Sequence, residues 1–142
     1  MKEIYNIPEK MKGFHDPTIN AIIDSWENMN VSFEDWKSTI YDIGITDYAP
    51  KHGVDTWVID TSKGTGVFNQ EIQDFRDKVA RPKLVENGIK YFFVVSSGSA
   101  LGKLSSKRTS KIYAEGGLMK SFHVESIEEA KQIRAEEIEK DQ

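Results

Sequence analysis

The strongest constraint on this fold is a pair of short, almost uninterrupted apolar runs, at residues 54–60 and 89–95. Runs of this length are typical of strands that are buried on both faces of a parallel sheet. Segments with helical spacing of their apolar residues separate these runs from their neighbours. Because parallel strands need a crossover connection, this alternation predicts an α/β fold built from right-handed strand–helix units.

Further strands are predicted on both sides of the two central runs. Residues 18–26 are rich in β-branched side chains, and residues 118–124 form a shorter strand near the end of the chain. Residues 3–7 predict an antiparallel edge strand. The sheet is therefore expected to be mostly parallel, with four to five strands, and to be flanked by helices.

The chain is expected to form one α/β domain of about four βα units over residues 1–142, since this length fits a single domain. Residues 16–139 form the predicted core. Residues 1–15 are predicted to be an N-terminal extension or the edge strand. No linker rich in proline, glycine or serine divides the chain.

Local residue chemistry predicts where the helices begin and end. Small polar residues before a helical stripe predict starts at Ser32, Asn69 and Ser126. Pro50 and Gly53 are predicted to bound the first helix, and Gly88 to stop the second. Pro82 predicts a kink or an interruption in the second helix. A further helix is predicted to begin near Leu101.

The composition excludes several classes of protein. Cysteine is absent, which excludes disulfides, zinc ribbons and thiol catalysis. The net charge of -4 argues against nucleic-acid binding, because backbone phosphates require a basic face. The longest apolar run, residues 91–95, is far shorter than the ~20 residues that span a bilayer. Residues 1–6 also lack the apolar region of a signal peptide. We therefore expect a cytoplasmic protein without a transmembrane segment.

Two loops rich in glycine and hydroxyl side chains follow the central strands, at residues 60–66 and 96–103. Open parallel sheets bind ligands beyond the carboxyl ends of their strands, where helix N-termini present backbone N–H groups. The loops therefore predict a ligand- or partner-binding edge formed by Asp60, Thr61, Ser62, Lys63, Ser97, Gly98, Ser99, Lys103 and Lys107. The alternative is that both loops are ordinary turns, in which these residue types are common.

The second loop is close to a phosphate-binding P-loop but does not have its spacing. Between Gly98 and Gly102 lie three residues rather than four, and Leu104 rather than serine or threonine follows Lys103. We therefore expect no hydrolysis of ATP or GTP. The basic run over residues 103–111 is either a solvated helix face or a rim that attracts a phosphate, a lipid head group or an acidic partner.

No constellation of residues predicts catalysis, a metal site or a cofactor. His15, His52 and His123 are far apart in the sequence, and none belongs to a metal-ligand pair. No G-x-S-x-G elbow follows a predicted strand. The large aromatic residues at inward positions are predicted to be core residues first and pocket-lining residues second. They are Trp26, Trp36, Trp57 and Phe75.

Three segments share a pattern with a known family: residues 57–61, residues 75–91 and residues 120–130. The first is a strand that runs into a loop. The second is a helix with a late proline that leads through Asn-Gly into a buried strand, and the third is a closing strand and helix. Together they resemble STAS-like bacterial domains, also called SpoIIAA-like or anti-sigma-factor antagonist-like domains. The resemblance extends over residues 18–139. The chain is more similar to a divergent branch of the family than to its classical regulators.

The resemblance implies a superhelix of four βα units, which the CRAL-TRIO lipid-binding domains share. In anti-sigma-factor antagonists, a partner kinase phosphorylates a serine in a D-S-S-G string at a helix start. Residues 60–64 of this chain read DTSKG. The resemblance thus implies Ser62 as a phospho-acceptor.

Two functions are compatible with the sequence. In the first, the chain is a non-enzymatic regulatory module that docks a protein partner, or a second copy of itself, on the carboxyl edge of the sheet. In the second, it is a carrier or sensor that binds a small anionic or amphipathic ligand, such as a lipid, in a pocket at the same edge. A docking module should have a filled core and a flat edge, whereas a carrier should have a pocket in the size class of ligand sites. The first is favoured because 142 residues leave little volume for a large internal cavity.

Overall fold

A six-stranded sheet forms the centre of the computed structural model, which describes residues 1–95 and 119–141. Its strands are β1 (Lys2–Ile7), β2 (Met11–Asp16), β3 (Ala21–Trp26), β4 (Thr56–Asp60), β5 (Tyr91–Val95) and β6 (Lys120–Val124). They are hydrogen-bonded in the order of the sequence. β1, β2 and β3 pair antiparallel, whereas β3, β4, β5 and β6 pair parallel. The expected mostly parallel α/β sheet is confirmed.

The sheet is wider than the predicted four to five strands, because the N-terminal residues form a hairpin. The expected antiparallel edge strand is confirmed as β1, but β2 is not predicted from the sequence. Lys12 and Gly13 interrupt its apolar pattern. The turn before β2 places Glu9 at a φ of 65° without the Asn-Gly or Asp-Gly pair that marks most tight hairpins.

Three helices cover the sheet in the described residues. They are α1 (residues 33–52), α2 (residues 70–86) and α3 (Ile127–Asp141). None of them combines the length and hydropathy that a bilayer span requires. The predicted turn at residues 96–99 and the predicted helix from Leu101 lie outside the described residues.

The predicted capping residues begin all three helices. The side-chain oxygens of Ser32, Asn69 and Ser126 each accept a hydrogen bond from the backbone N–H three residues later. These bonds satisfy N–H groups that have no partner within the helix. Gly53 follows α1 at a φ of 60°, and Gly88 follows α2 at a φ of 96°. Both helix ends therefore use the left-handed conformation that glycine adopts without strain.

α1 and α2 each contain a π-helical segment that ends two residues before a proline. The segments are Lys37–Tyr48 and Arg76–Ala80, and the prolines are Pro50 and Pro82. The residue before each proline donates its backbone N–H to the carbonyl five residues earlier. A proline ring crowds the carbonyl four residues before it, and a π turn is wider at this point. The helical turns continue through both prolines. Pro82 therefore does not interrupt α2, and the prediction that Pro50 bounds α1 is wrong, since the helix runs on to Gly53.

The two faces of the sheet have different partners. We call the side under α1 and α2 the first face and the side under α3 the second face. Trp57 of β4 packs on the first face with Trp26 and Trp36, whereas its neighbour Val58 packs on the second face with Phe93. Val58 and Phe93 are both 0% exposed, which confirms that β4 and β5 are central strands.

Candidate functional site

A cleft of about 390 Å³ lies between the beginning of α3 and the second face of the sheet. It is close to the carboxyl ends of β4 and β5, where open parallel sheets bind ligands. Its apolar lining comes from Ile23, Val95 and Ile127. The other described residues of the lining are Met1, Asp16, Asp60, Ser62, Glu125, Ser126, Glu128 and Lys131.

A tight turn after β4 places Asp60 and Ser62 in this cleft. Asp60 Oδ1 accepts hydrogen bonds from the Ser62 backbone N–H at 3.0 Å and from its hydroxyl at 2.6 Å. Thr61 between them is buried, and its hydroxyl donates to the carbonyl oxygen of Val95 at 2.6 Å. Thr61 therefore anchors the loop to the end of β5, while its two neighbours line the cleft.

A second turn of the same kind places Asp16 at the other end of the cleft. Asp16 Oδ1 accepts hydrogen bonds from the Thr18 backbone N–H at 3.0 Å and from its hydroxyl at 2.6 Å. The Lys131 ammonium lies 3.6 Å from Asp16 Oδ2. Burial alone would raise the pKa of Asp16, but these hydrogen bonds and the nearby cation together hold it below its usual value.

The described part of the cleft is acidic. The carboxylates of Asp60, Glu125 and Glu128 line it together with Asp16, and Lys131 has the only basic side chain in the described lining. Lys131 forms an ion pair with Asp16, which offsets its positive charge. These residues favour a ligand group that is cationic or that donates hydrogen bonds.

The predicted binding edge and the cleft coincide in part. Asp60 and Ser62 line the cleft, Thr61 is structural, and Lys63 is exposed and is not part of the lining. The remaining predicted residues, Ser97, Gly98, Ser99, Lys103 and Lys107, lie outside the described residues. The anion-attracting rim therefore stays a prediction.

A buried carboxylate inside the first face is a polar feature that the sequence reasoning missed. Asp24 of β3 is 1% exposed and accepts hydrogen bonds from the Tyr5 hydroxyl at 2.5 Å and from Trp57 Nε1 at 3.0 Å. Burial raises the pKa of Asp24 to about 7, although both hydrogen bonds act in the opposite direction. The available signal was a single acidic residue within the apolar run at residues 18–26.

The same face encloses a small cavity beside Asp24. Its volume is about 20 Å³, and Arg76 and Trp36 are among the residues that line it. A cavity needs roughly 10–15 Å³ to hold one water molecule, so this space is close to the size of a single water. This cavity beside Asp24 is therefore too small for a ligand larger than water.

Comparison of the chain with protein-family models, curated proteins and solved structures finds no match. Within the described ranges, no three His, Asp or Glu side chains are grouped as ligands of a metal ion. The resemblance to STAS-like domains stays a prediction. Function must therefore be inferred from the cleft and its lining.

Proposed function

We propose that this chain is a non-enzymatic module that binds a small amphipathic ligand in the cleft between α3 and the sheet. The volume of about 390 Å³ carries this proposal. Ligand sites run from roughly 300 to 1,000 Å³, so the cleft is large enough for a small molecule. The cleft lies at the surface and not inside the core, so a chain of this size can form it without a large internal cavity.

The lining indicates the chemistry of the ligand. An apolar body can pack against Ile23, Val95 and Ile127. A head group that is cationic or donates hydrogen bonds can reach the carboxylates of Asp60 and Glu128. The ligand class that fits these residues is an amphipathic amine or alcohol.

Native mass spectrometry of freshly purified, untagged protein tests the proposal. We expect a non-covalent adduct on the wild-type chain that disappears when the protein is denatured. Ile127→Ala should lose the adduct, because this side chain contributes to the apolar lining. Ile133→Ala is the matched control, since Ile133 is also partly buried against the second face but does not line the cleft.

Two results would contradict ligand binding in the cleft. One is a native mass equal to that of the bare chain, together with no chemical-shift change at Ile23 or Ile127 in a screen of amphipathic amines and alcohols. The other is an adduct that persists in Ile127→Ala and is lost in Ile133→Ala. The second result would place the ligand nearer the middle of α3.

Docking of a protein partner on the same edge is the second candidate, and the small size of the cavity beside Asp24 supports it. A cavity of only about 20 Å³ under α1 and α2 is what a docking module should have. Such a module could follow the regulatory pattern implied by the STAS-like resemblance. A native mass of twice the chain, with no small adduct, would favour docking of a second copy over ligand binding.

A further inference from the structure

Two histidines that are far apart in the sequence meet where β2 packs against the end of α1. The ring centroids of His15 and His52 are 5.8 Å apart, and the ring planes are inclined by 69°. Tyr48 contacts both rings: it stacks on His52 at 3.9 Å and makes an edge contact with His15 at 5.3 Å. His52 is exposed and His15 is half-buried, so solvent can reach the pair.

Tyr48 also determines which ring nitrogens remain available. His52 Nδ1 lies 3.0 Å from the Tyr48 carbonyl oxygen. A carbonyl oxygen only accepts hydrogen bonds, so Nδ1 carries the hydrogen and Nε2 keeps its lone pair. His15 Nδ1 lies 2.7 Å from the Tyr48 hydroxyl, which can accept an N–H and so leave Nε2 of His15 free as well. Metal-binding histidines are usually held by such a hydrogen bond from the other nitrogen.

We propose that His15 and His52 bind one divalent transition-metal ion through their Nε2 atoms. Two imidazoles bonded at about 2.0–2.1 Å to a shared ion, at tetrahedral or wider angles, place their ring centroids roughly 5–6 Å apart. The observed separation of 5.8 Å falls within this range. Imidazole ligands suit Ni²⁺, Cu²⁺ and Zn²⁺, and water completes the coordination of the ion.

The surroundings make this a weak, accessible site. Asp16 and Lys2 both act electrostatically on His15, with opposite signs, so they add little net attraction for a cation. Because the ion joins β2 to α1, bound metal should stabilise the packing of the hairpin on the helix. The ligand pair was missed in the sequence because its members belong to different elements and lack a local motif.

Titration of untagged protein with NiCl₂ tests the proposal. We expect saturable binding by calorimetry, a melting temperature that rises with Ni²⁺ concentration, and paramagnetic broadening of the NMR signals of His15 and His52. His15→Gln and His52→Gln should each weaken Ni²⁺ binding by about tenfold or more, since each removes one of two ligands. Tyr48→Phe should weaken it less, by loss of the hydroxyl that orients His15.

The third histidine supplies the control. His123→Gln should bind Ni²⁺ like the wild type, because His123 lies on β6, at the opposite edge of the sheet from β1. Wild-type binding in either His15→Gln or His52→Gln, or no saturable binding by the wild type, would overturn the proposal. If His15→Gln does not fold, His52→Gln still decides the question, because the exposed His52 can be replaced without disturbing the core.

Discussion

Gly13 is the residue on which the docking of the N-terminal hairpin depends most directly. It pairs with Tyr5 across β1 and β2, and a Cβ atom at Gly13 would overlap the Tyr5 ring. The Tyr5 side chain crosses this position to reach the buried Asp24 carboxylate. An aromatic ring over a glycine of the neighbouring strand therefore replaces the missing side-chain contact.

Replacement of Gly13 by alanine should lower the free energy of unfolding by about 2 kcal/mol or more, because the Tyr5 ring must move and lose its bond to Asp24. Urea denaturation measures this change. Gly53→Ala is the control: it has a φ of 60°, but among the described residues no atom beyond its own chain neighbourhood lies within 4 Å of the added Cβ. Its cost is then limited to backbone strain, about 1–2 kcal/mol. A smaller loss at Gly13 than at Gly53 would contradict the steric account.

Among the elements, α3 is attached to the sheet by polar as well as apolar contacts. Ala130 is its only buried residue, and the isoleucines beside it are partly exposed. The Arg134 guanidinium donates to Thr56 Oγ1 at 2.8 Å and to the Asp55 carboxylate at 3.0 and 3.2 Å. Through Nε to Thr56 and Nη2 to Asp55, this contact joins the middle of α3 to the start of β4.

Arg134→Ala should destabilise the protein by about 1–3 kcal/mol, since it leaves the partly buried Asp55 without its cation. Lys140→Ala is the matched control on the same helix. Lys140 pairs with Glu137, but its side chain is 71% exposed, so its removal should change stability by less than about 0.5 kcal/mol. Equal urea midpoints for the two variants would show that the Arg134 contact does not hold α3.

Elements that depend on local chemistry could be predicted from the sequence, and those that depend on tertiary contacts could not. Ser32, Asn69 and Ser126 cap helices through bonds to residues three positions away, so their role is visible in the sequence. β2 is stabilised by pairing with two other strands and has no local signal of its own.

The residues of the candidate site likewise divide into those that could be predicted from the sequence and those that depend on tertiary contacts. Asp60 and Ser62 could be predicted because strand topology places the loop after β4 at the binding edge. Asp16 and Lys131 come from β2 and α3, and they meet only when the hairpin and the last helix are both in place. The positions of Asp16 and Lys131 in the sequence give no sign that the two side chains are in contact.

At the scale of the whole molecule, Asp24 links the hairpin to the parallel part of the sheet. It lies on β3 and accepts hydrogen bonds from Tyr5 on β1 and Trp57 on β4. Its folded-state pKa of about 7 lies above the usual value of 3.8. Between these two values, the folded state binds a proton that the unfolded state has released.

The contribution of Asp24 to stability should therefore fall as the pH rises from about 4 to 7 and stay constant above that range. Asp24→Asn removes this titration, because the amide keeps the shape of the side chain without a charge. Urea unfolding of both proteins at several pH values measures the effect. The stability of Asp24→Asn relative to the wild type should increase with pH, by up to about 1.4 kcal/mol per pH unit. Parallel pH profiles would show that Asp24 does not titrate in this range.

The consecutive strand order also has a consequence for how the sheet can form while the chain is being synthesised. Every strand from β2 to β6 is synthesised after the neighbour with which it pairs, so each one can join an edge that already exists. Within the described residues, no strand has to enter between two strands that are already paired. The sheet can grow in one direction as translation proceeds, and α1 and α2 each cover part of the new surface before the next strand appears.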